Sequence, residues 1–577
     1  MNKIALLIVV LILPLSSACK DIIVMDEATS GNYNLFMKVR DPSRSGLQVL
    51  FILNEGYEYN YHHPWRNYEM AFKTKYKIIG VATSGDIPPN IVKAGMMMTS
   101  AGLAYGDADV PTYWINPTKR AWDDFDWLRY AAQQAGNEKE AVALLEEVVD
   151  MHAPGIGENL FVVGKEAYVI EADALHFYSR EVQGLEVMSN YPKYLWKSRF
   201  LRKIGIASSF DKVFDGYVFE KEVVRIGGIY GIRVVEIKDD YVIVKQFPLG
   251  EETKIEKGNG SKVGNFYVEF KEANGRKAKL RVCYEYYEWE NRIGRILNEK
   301  YRNINVIDLM NISRIHSWQI EGLRGLCENE MKACMIFKIP LSNPEILMAG
   351  WFAPDQCSSI FIPVHICDYE IYDDYENGKA AEISLSLLRK YGHGNVSFGN
   401  FEEVLVYENE KVEDIAMKNI DMASEILTSV DVEMQKQAII LQKIFLNSSY
   451  EERENLRNLW KKDYYTSICE IEKNIDFLKN FSNELGEIIL SMCKTRVDIE
   501  RIVNGSKFYD EYKKAENYFK EGNYKKGIEI VKDIFEKIDK KIYGIEYKKL
   551  RGVEIIAVVL PIVILIMLLL FIYRKLR

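Results

Sequence analysis

The segment from Ile555 to Tyr573 constrains the chain more than any other part of the sequence, because it is uncharged and almost wholly apolar. Its length is close to the ~20 residues that a helix needs to cross a bilayer. Three basic residues lie within 574–577, and such residues favour the cytoplasmic side of a membrane. The sequence therefore predicts a transmembrane helix at 555–573 and a cytoplasmic tail at 574–577. Basic residues also precede the segment, so its orientation depends mainly on the N-terminus.

The N-terminus has the pattern of a signal peptide. Lys3 precedes a short apolar run, and small residues occupy positions 16–18, as is typical of a signal-peptidase site. Cleavage after Ala18 would remove 1–18 and make Cys19 the first residue of the mature chain. An uncleaved N-terminal anchor is the alternative. A signal peptide sends the body of the chain outside, so we expect a single-pass protein of the cell membrane with an extracytoplasmic main domain.

Composition excludes some classes of partner. The net charge is -8 and no long basic stripe occurs, which argues against a nucleic-acid partner. No pair of the eight cysteines has C-x-x-C spacing, and the histidines show no metal-ligand spacing, so the sequence predicts no cofactor and no metal. Cys327 with Cys334, or Cys357 with Cys367, could form disulfides outside the cell, but the sequence does not assign them.

The chain changes character near residue 397. Residues 19–396 have the mixed pattern of an α/β domain, and alternating apolar residues at 227–286 indicate a strand-rich insertion. The stretch 411–547 contains no proline and is rich in Lys, Glu, Ile and Leu at helical spacing. We therefore expect a helical bundle or stalk at 397–554, between the globular domain and the membrane.

An N-terminal cysteine carries a thiol and a free α-amino group on the same residue. The reference pKa of the amine is about 7.7–8.0 and that of the thiol about 8.5, so the amine can take the thiol proton near neutral pH. Nucleophile and base then form one unit, and attack on an amide carbonyl gives a thioester that water hydrolyses. The alternative for Cys19 is a lipidated cysteine after a lipoprotein signal. A lipid would be a second anchor beside a transmembrane helix.

Several short motifs follow the predicted cleavage point. They are Cys19-Lys-Asp-Ile-Ile-Val, Lys38-Val-Arg-Asp41-Pro, Thr99-Ser-Ala-Gly102-Leu103, Tyr168-Val-Ile-Glu171 and Ser189-Asn190-Tyr-Pro192. With them the chain resembles the cysteine branch of the N-terminal-nucleophile (Ntn) hydrolases. The nearest group is the dipeptidase-A-type peptidases, and penicillin V acylase, bile salt hydrolase and isopenicillin-N acyltransferase are more distant. The resemblance covers most of 19–396. It implies an α+β fold, a four-layer αββα sandwich.

The resemblance implies a catalytic role for four residues. Cys19 matches the nucleophile, and Asp41 matches the acid that hydrogen-bonds the α-amine. Lys38 stands where the family has an arginine beside the thiol, and a cation there lowers the thiol pKa. Asn190 matches an asparagine of the oxyanion hole. Asp41 and Asn190 each lie close to a proline, so a role as turn residues is the alternative.

Three further residues are predicted to line the substrate site. Arg40, and not Lys38, would match the family's arginine if the alignment of this chain with the family motif were shifted by two residues. Asp109 lies where acylases of the family have a second oxyanion-side asparagine, and a carboxylate there would repel an oxyanion unless protonated. His63 belongs to an aromatic run that could line a cleft, although packing or surface positions are commoner for such residues.

These observations give one hypothesis and one rival. The hypothesis is an extracytoplasmic amidohydrolase that acts on a small amide or peptide through a thioester on Cys19, with acyl transfer to an amine as a variant of the same chemistry. The rival is a non-enzymatic surface binding module in which Cys19 is lipidated or unused.

Overall fold

The computed structural model describes residues 19–40, 46–62, 69–87, 93–110, 116–195, 211–228, 230–327, 333–505 and 507–547. The predicted signal peptide at 1–18, the predicted membrane helix at 555–573 and the tail at 574–577 lie outside these residues. None of the helices within the described ranges is long and apolar enough to cross a membrane.

The described residues form strands and helices whose bounds are as follows. The strands are β1 (Lys20–Val24), β2 (Tyr33–Val39), β3 (Gln48–Leu53), β4 (Glu58–His62), β5 (Glu69–Lys73), β6 (Ile78–Thr83), β7 (Ala94–Thr99), β8 (Leu103–Val110), β9 (Gly157–Val163), β10 (Ala167–Ala172), β11 (Phe177–Glu181), β12 (Leu185–Met188), β13 (Phe214–Phe219), β14 (Val223–Gly227), β15 (Tyr230–Ile237), β16 (Tyr241–Phe247), β17 (Glu252–Glu256), β18 (Gly260–Val263), β19 (Phe266–Asn274), β20 (Lys277–Tyr284), β21 (Cys334–Pro340), β22 (Ala349–Ala353) and β23 (Ile362–His365). The helices are α1 (Asp124–Ala132), α2 (Glu138–Asp150), α3 (Glu285–Asn298), α4 (Val306–Ser313), α5 (Pro344–Leu347), α6 (Asp373–Glu376), α7 (Lys379–Tyr391), α8 (Phe401–Lys418), α9 (Ala423–Asn447), α10 (Tyr450–Arg457), α11 (Tyr464–Asn474), α12 (Ser482–Asn504), α13 (Tyr509–Lys520) and α14 (Tyr524–Ile538).

Two large antiparallel sheets pack face to face at the centre of the molecule. The six-stranded sheet has the order β12-β1-β2-β21-β22-β23, and the seven-stranded sheet has the order β11-β10-β9-β8-β7-β6-β3. Strands β1 and β2 consist almost entirely of buried residues, which is the pattern of strands that are covered on both faces. Across the interface the rings of Phe36 and Phe161 lie with centroids 5.7 Å apart.

Helices cover the outer faces of both sheets. Helices α1 and α2 pack on the seven-stranded sheet, and Asp123 and Asn137 cap their N-termini by accepting hydrogen bonds from backbone N–H groups. Helices α3, α4, α8 and α9 contact strands of the six-stranded sheet. The layers therefore run helix, sheet, sheet, helix. The predicted class, with mixed helices and strands, is confirmed, and the sheets are antiparallel.

A strand-rich subdomain follows β12 in the chain. Strands β13 to β20 form two four-stranded sheets that pack on each other around a core of their own, which includes Val234, Val244, Phe270 and Leu280. The predicted insertion at 227–286 contains β15 to β20, and β13 and β14 precede it in the same pair of sheets.

Polar contacts join the C-terminal helices to the six-stranded sheet. Lys338 of β21 donates to Glu413 of α8 at 2.7 Å, and both side chains are largely buried. Farther from the sheet, Arg496 of α12 donates to Asp539 at 2.8 Å and also to Glu408 of α8. The helices α8 and α9, from the region predicted to be helical at 397–554, therefore share the core of the sandwich.

Candidate functional site

The predicted nucleophile Cys19 lies directly before β1, beside a strand that carries two other predicted site residues. Asp21 of β1 is paired with Lys38 of β2, and continuing this register by two residues places Arg40 beside Cys19. Because side chains alternate along a strand, these four residues share one face of the six-stranded sheet. That face is the inner one, since Lys38 contacts Asp107 of the seven-stranded sheet.

Asn190 approaches the same point from the other side of β1. Strand β12 pairs Met188 with Asp21, and continuing this register places Asn190 beside Cys19. The Asn190 Nδ2 donates to the backbone oxygen of Asp109 at 2.8 Å. A side-chain amide has two N–H donors, so one remains after this bond for a ligand oxygen. The predicted residues Cys19, Lys38, Arg40 and Asn190 are thus brought together.

Lys38 is the central cation of the site. Its Nζ lies 3.3 Å from Asp107 Oδ1 and 3.6 Å from Asp21 Oδ1, and the lysine side chain is fully buried. Burial lowers the pKa of Lys38, but the charges of Asp21, Cys19 and Asp107 outweigh this effect and raise it above its usual value. Lys38 therefore stays positively charged next to the thiol.

The Cys19 thiol is neutral near pH 7. Burial raises the pKa of Cys19 to about 11, although the charge of Lys38 acts in the opposite direction. The nearby carboxyl groups, Asp107 and Asp21 among them, raise this pKa further. A base that takes the thiol proton is therefore required, and the α-amino group of Cys19 becomes available only when the preceding peptide bond is cut.

Gly106 of β8 allows the two sheets to approach closely at the site. A Cβ atom on Gly106 would lie 2.7 Å from the Phe36 ring and 3.6 Å from Asp21 Oδ1. A contact of 2.7 Å is too short for carbon atoms, so any larger residue would have to displace the Phe36 ring between the sheets. The short spacing between the sheets keeps Asp107 of β8 within reach of Lys38.

Arg40 is engaged by its neighbours. Its Nη1 donates to Gln48 Oε1 at 2.6 Å, and its guanidinium carbon lies 5.2 Å from the centroid of the Phe125 ring. Burial lowers the pKa of Arg40 below its usual value. The guanidinium thus lies at the edge of the site, where we expect it to add positive charge and to hold Gln48 in position.

Asp109 belongs to a group of carboxyl groups at the same end of the sheets. Asp109, Asp124 and Glu158 each have a ligand oxygen within 4.8 Å of the others. Burial raises the pKa of all three, and the charges of neighbouring carboxylates raise those of Asp124 and Glu158 further. Proton binding by this group is therefore favoured over full ionisation, which would bring three like charges together, and the contact between Glu158 and Asp109 favours the proton on Glu158.

Two predicted site residues, Asp41 and His63, lie outside the described residues. The segments 111–115 and 196–210, which adjoin β8 and follow Asn190, lie outside them as well. The roles predicted for Asp41 and His63 stay predictions.

The sequence reasoning missed Asp21, and it did not predict that Asp107 contacts Lys38. Asp21 has a signal that could have been used, because it lies two residues after Cys19 on a strand and alternation places both side chains on one face. Asp107 gave no such signal, since its contact with Lys38 joins two different sheets.

No family model and no curated protein matches the chain. Among solved structures, the chain is similar to a variant of the conjugated bile acid hydrolase from Clostridium perfringens, at 11% identity and a TM-score of 0.34 over 60% of this chain and 92% of that one. A second mutant of the same hydrolase gives 10% identity and a TM-score of 0.33 over the same shares. Penicillin V acylase from Agrobacterium tumefaciens gives 17% identity and a TM-score of 0.24 over 32% of this chain and 58% of that one. Similarity at this level carries no argument about the activity of the chain, which depends on the geometry of the site.

Asp21 makes stability depend on pH. Burial raises its pKa to about 8 from an ordinary value of 3.8. The folded chain then binds a proton that the unfolded chain has lost, so this group makes the free energy of unfolding fall as the pH rises between these values. We expect Asp21→Asn to remove that fall. The free energy of unfolding of the variant, measured relative to that of wild type, should therefore be higher at about pH 8.5 than at about pH 4.5 by at least about 1 kcal/mol.

Urea unfolding of both proteins at the two pH values measures this difference. Asp476→Asn is a matched control, because the Asp476 side chain is 82% exposed and should give the same difference from wild type at both pH values. A difference for Asp21→Asn that does not change with pH would mean that the Asp21 carboxyl titrates normally.

Proposed function

We propose that the chain is an amidohydrolase that uses Cys19 as an N-terminal nucleophile after removal of residues 1–18. One observation carries the proposal: Cys19 precedes β1, with Lys38 on the neighbouring strand β2 and Asn190 just after the other neighbouring strand, β12. A cation and an amide donor beside a thiol are the groups that acyl transfer requires.

The reaction follows from these groups. The free α-amine of Cys19 takes the thiol proton, and the sulfur attacks the carbonyl carbon of the amide. The C–N bond then breaks, the amine leaves with the proton, and a thioester remains on Cys19. Water adds to the thioester, the C–S bond breaks, and the acid product leaves while the thiol recovers its proton.

Lys38 and Asn190 have separate roles in this scheme. The buried charge of Lys38 favours the thiolate over the thiol, because opposite charges attract strongly away from water. The Asn190 Nδ2 has an N–H group left after its bond to the backbone oxygen of Asp109. This group would donate to the oxyanion that forms on the carbonyl oxygen in each step.

The substrate class is a small amide or short peptide. Cys19 is half-buried between two packed sheets, so a folded protein segment has little room to reach the thiol. We propose dipeptides and N-acyl amino acids as the first compounds to test. Capture of the thioester by an amine would give acyl transfer in place of hydrolysis.

The location belongs to the proposal too. The signal peptide would export the chain, and the apolar segment 555–573 would hold it in the membrane with its main domain outside. Removal of the leader would then activate the enzyme after export, because the α-amine of Cys19 does not exist before the cut.

The test is to place a cleavable tag in front of Cys19. We expect no hydrolysis of a panel of dipeptides and N-acyl amino acids while the tag is attached, and hydrolysis after a protease that leaves Cys19 as residue one has acted. Release of free amine, followed over time, is the measurement. A matched protein in which one alanine remains before Cys19 should stay inactive, because its α-amine is displaced from the thiol.

Two outcomes would contradict the proposal. Equal hydrolysis before and after the cut would show that the α-amine is not the base. A native protein whose intact mass includes an acyl chain on Cys19 would favour the rival, a surface binding module anchored by lipid.

A further inference from the structure

We propose that four side chains outside the Cys19 site, His316, Cys327, Cys357 and His393, bind one zinc ion. They come from parts of the chain that are far apart: Cys357 follows His316 by 41 residues, and His393 follows Cys327 by 66. The four ligand atoms lie within 4.8 Å of one another. The site is independent of the proposed function, since none of these residues belongs to the Cys19 site.

The distances fit a tetrahedral ion. Bond lengths of about 2.3 Å to sulfur and about 2.0–2.1 Å to nitrogen place neighbouring ligand atoms about 3.3–3.8 Å apart around a tetrahedral zinc ion. The His316 Nε2 lies 3.3 Å from Cys357 Sγ, and the His393 Nδ1 lies 3.7 Å from Cys327 Sγ. Both pairs therefore have the separation that one shared ion sets.

The chemistry of the ligands selects zinc. Two thiolates and two imidazoles form a common structural zinc set, in which soft sulfur ligands exclude magnesium and calcium. Two thiolates also neutralise the charge of the ion, so the complex can lie in the interior, where Cys327 and Cys357 are 0% and 4% exposed. Four protein ligands leave no position for substrate, so the site is structural.

Neighbouring groups orient the ligands. The His316 Nδ1 lies 3.4 Å from Gln319 Oε1, and this contact directs Nε2 toward Cys357. The backbone N–H of Gly394 donates to Cys357 Sγ at 3.2 Å, which stabilises a thiolate. Hydrogen bonds of this kind to the ligand atoms are typical of protein metal sites.

The loop that carries His393 is shaped for this position. Gly392 and Gly394 flank the histidine with φ values of +80° and +73°, in the left-handed region that favours glycine. A Cβ atom on Gly394 would also lie 3.2 Å from the Trp318 ring, which stacks on His316. Only glycine therefore lets the loop turn His393 back toward the cysteines.

The ion would join three segments that are otherwise separate. His316 and Cys327 lie on the loop after α4, Cys357 lies in the turn after β22, and His393 follows the end of α7. The backbone N–H of Cys327 donates to the oxygen of Ile315, which holds the first two ligands side by side. Binding at this point would stabilise the outer layer of the six-stranded sheet, because an ion that binds only the folded chain adds its binding energy to folding.

Metal analysis of the full-length protein, purified in detergent without chelator, tests the proposal. We expect about one equivalent of zinc per chain by plasma mass spectrometry. After removal of the zinc, added Co²⁺ should give the visible bands of a tetrahedral site and a thiolate-to-cobalt charge-transfer band. Removal of zinc should also lower Tm by at least about 3 °C.

Variants separate the ligands from other thiols. Cys357→Ser should lose about half of the thiolate-to-cobalt band, because one of two sulfur ligands remains. His393→Asn, on a half-buried loop, keeps the test usable if the cysteine variant does not fold, and it should weaken Co²⁺ binding by at least about tenfold. Cys469→Ser, which changes a half-buried cysteine of α11, should keep both the zinc content and the spectrum.

The same measurements can overturn the proposal. A wild-type protein that takes up neither zinc nor Co²⁺ would exclude the site. A disulfide between Cys327 and Cys357, found by mass spectrometry in protein purified with zinc present, would also exclude it. Zinc content that stays at the wild-type level in both Cys357→Ser and His393→Asn would mean that the metal binds elsewhere on the protein.

Discussion

Cys19→Ala, with the chain processed so that residue 19 is first, is expected to lose amide hydrolysis by at least about a thousandfold while the fold stays intact. The variant keeps the α-amine, Lys38 and Asn190 but has no sulfur to form the thioester, and the loss of a nucleophile removes the covalent route altogether. Cys19 is only half-buried and lies at the start of a strand, so its truncation should change the free energy of unfolding by less than about 1 kcal/mol. Initial rates of amine release, with circular dichroism and Tm as checks of folding, measure the two effects.

A second cysteine provides the control for this substitution. Cys334→Ala removes a fully buried thiol from β21, in the same sheet, and should reduce stability more than Cys19→Ala while leaving the turnover number within about twofold. Undiminished hydrolysis by Cys19→Ala would exclude Cys19 as the nucleophile. Similar loss of rate in both variants would point to damage to the sheet as the cause.

Lys38→Met is expected to cost about 3–5 kcal/mol of stability and most of the activity. The substitution leaves the carboxyl groups of Asp21 and Asp107 buried without the cation that lies 3.6 Å and 3.3 Å from them. Removing one member of a buried ion group has a cost of this size, because the remaining charges must be protonated or exposed to water. Urea unfolding at neutral pH measures the loss of stability.

Two companion variants identify the cause of this loss. Lys38→Arg keeps the charge that the resemblance places at this position, and it should be more stable than Lys38→Met. In the double variant with Asp21→Asn and Lys38→Met, part of the lost stability should return at about pH 8.5, because there Asp21 without the cation must bind a proton to stay buried and asparagine need not. If Lys38→Met were as stable as wild type, the contacts of Lys38 with the two acids would contribute nothing to the free energy of unfolding.

The sequence predicted the fold class well where periodicity was the signal. Buried runs such as β1 and alternating segments such as β15 and β16 follow directly from the period of their apolar residues. The packing of α8 and α9 on the six-stranded sheet could not be predicted in this way. Their apolar stripes require a partner surface, but the sequence does not say which surface provides it.

The site was predicted in part. Cys19, Lys38 and Asn190 carried a pattern, and register brings them together on neighbouring strands. The partners of Lys38 were not predicted, because the contact with Asp107 depends on how two sheets face each other. The signal peptide, the membrane helix, Asp41 and His63 lie outside the described residues, so their roles stay predictions.

The four residues of the proposed zinc site show the limit of spacing rules. Such rules detect ligands that lie close together on one loop or hairpin. Here His316 and Cys327 share a loop without a recognised ligand spacing, and the fold brings the other two ligands to them. The sequence analysis therefore predicted no metal, and nothing in the order of the residues could have changed that expectation.

The pairing of β2 with the late strand β21 has a consequence for the order of events during synthesis. Phe36 of β2 is paired with Phe337 of β21, so the sheet around Cys19 cannot close until that late strand is available. Pairing between such distant segments makes folding slow, since a long loop must close before the contacts form. Under the proposed export and cleavage, the peptidase would therefore act while this sheet is still open, and Cys19 would become the first residue before its pocket forms.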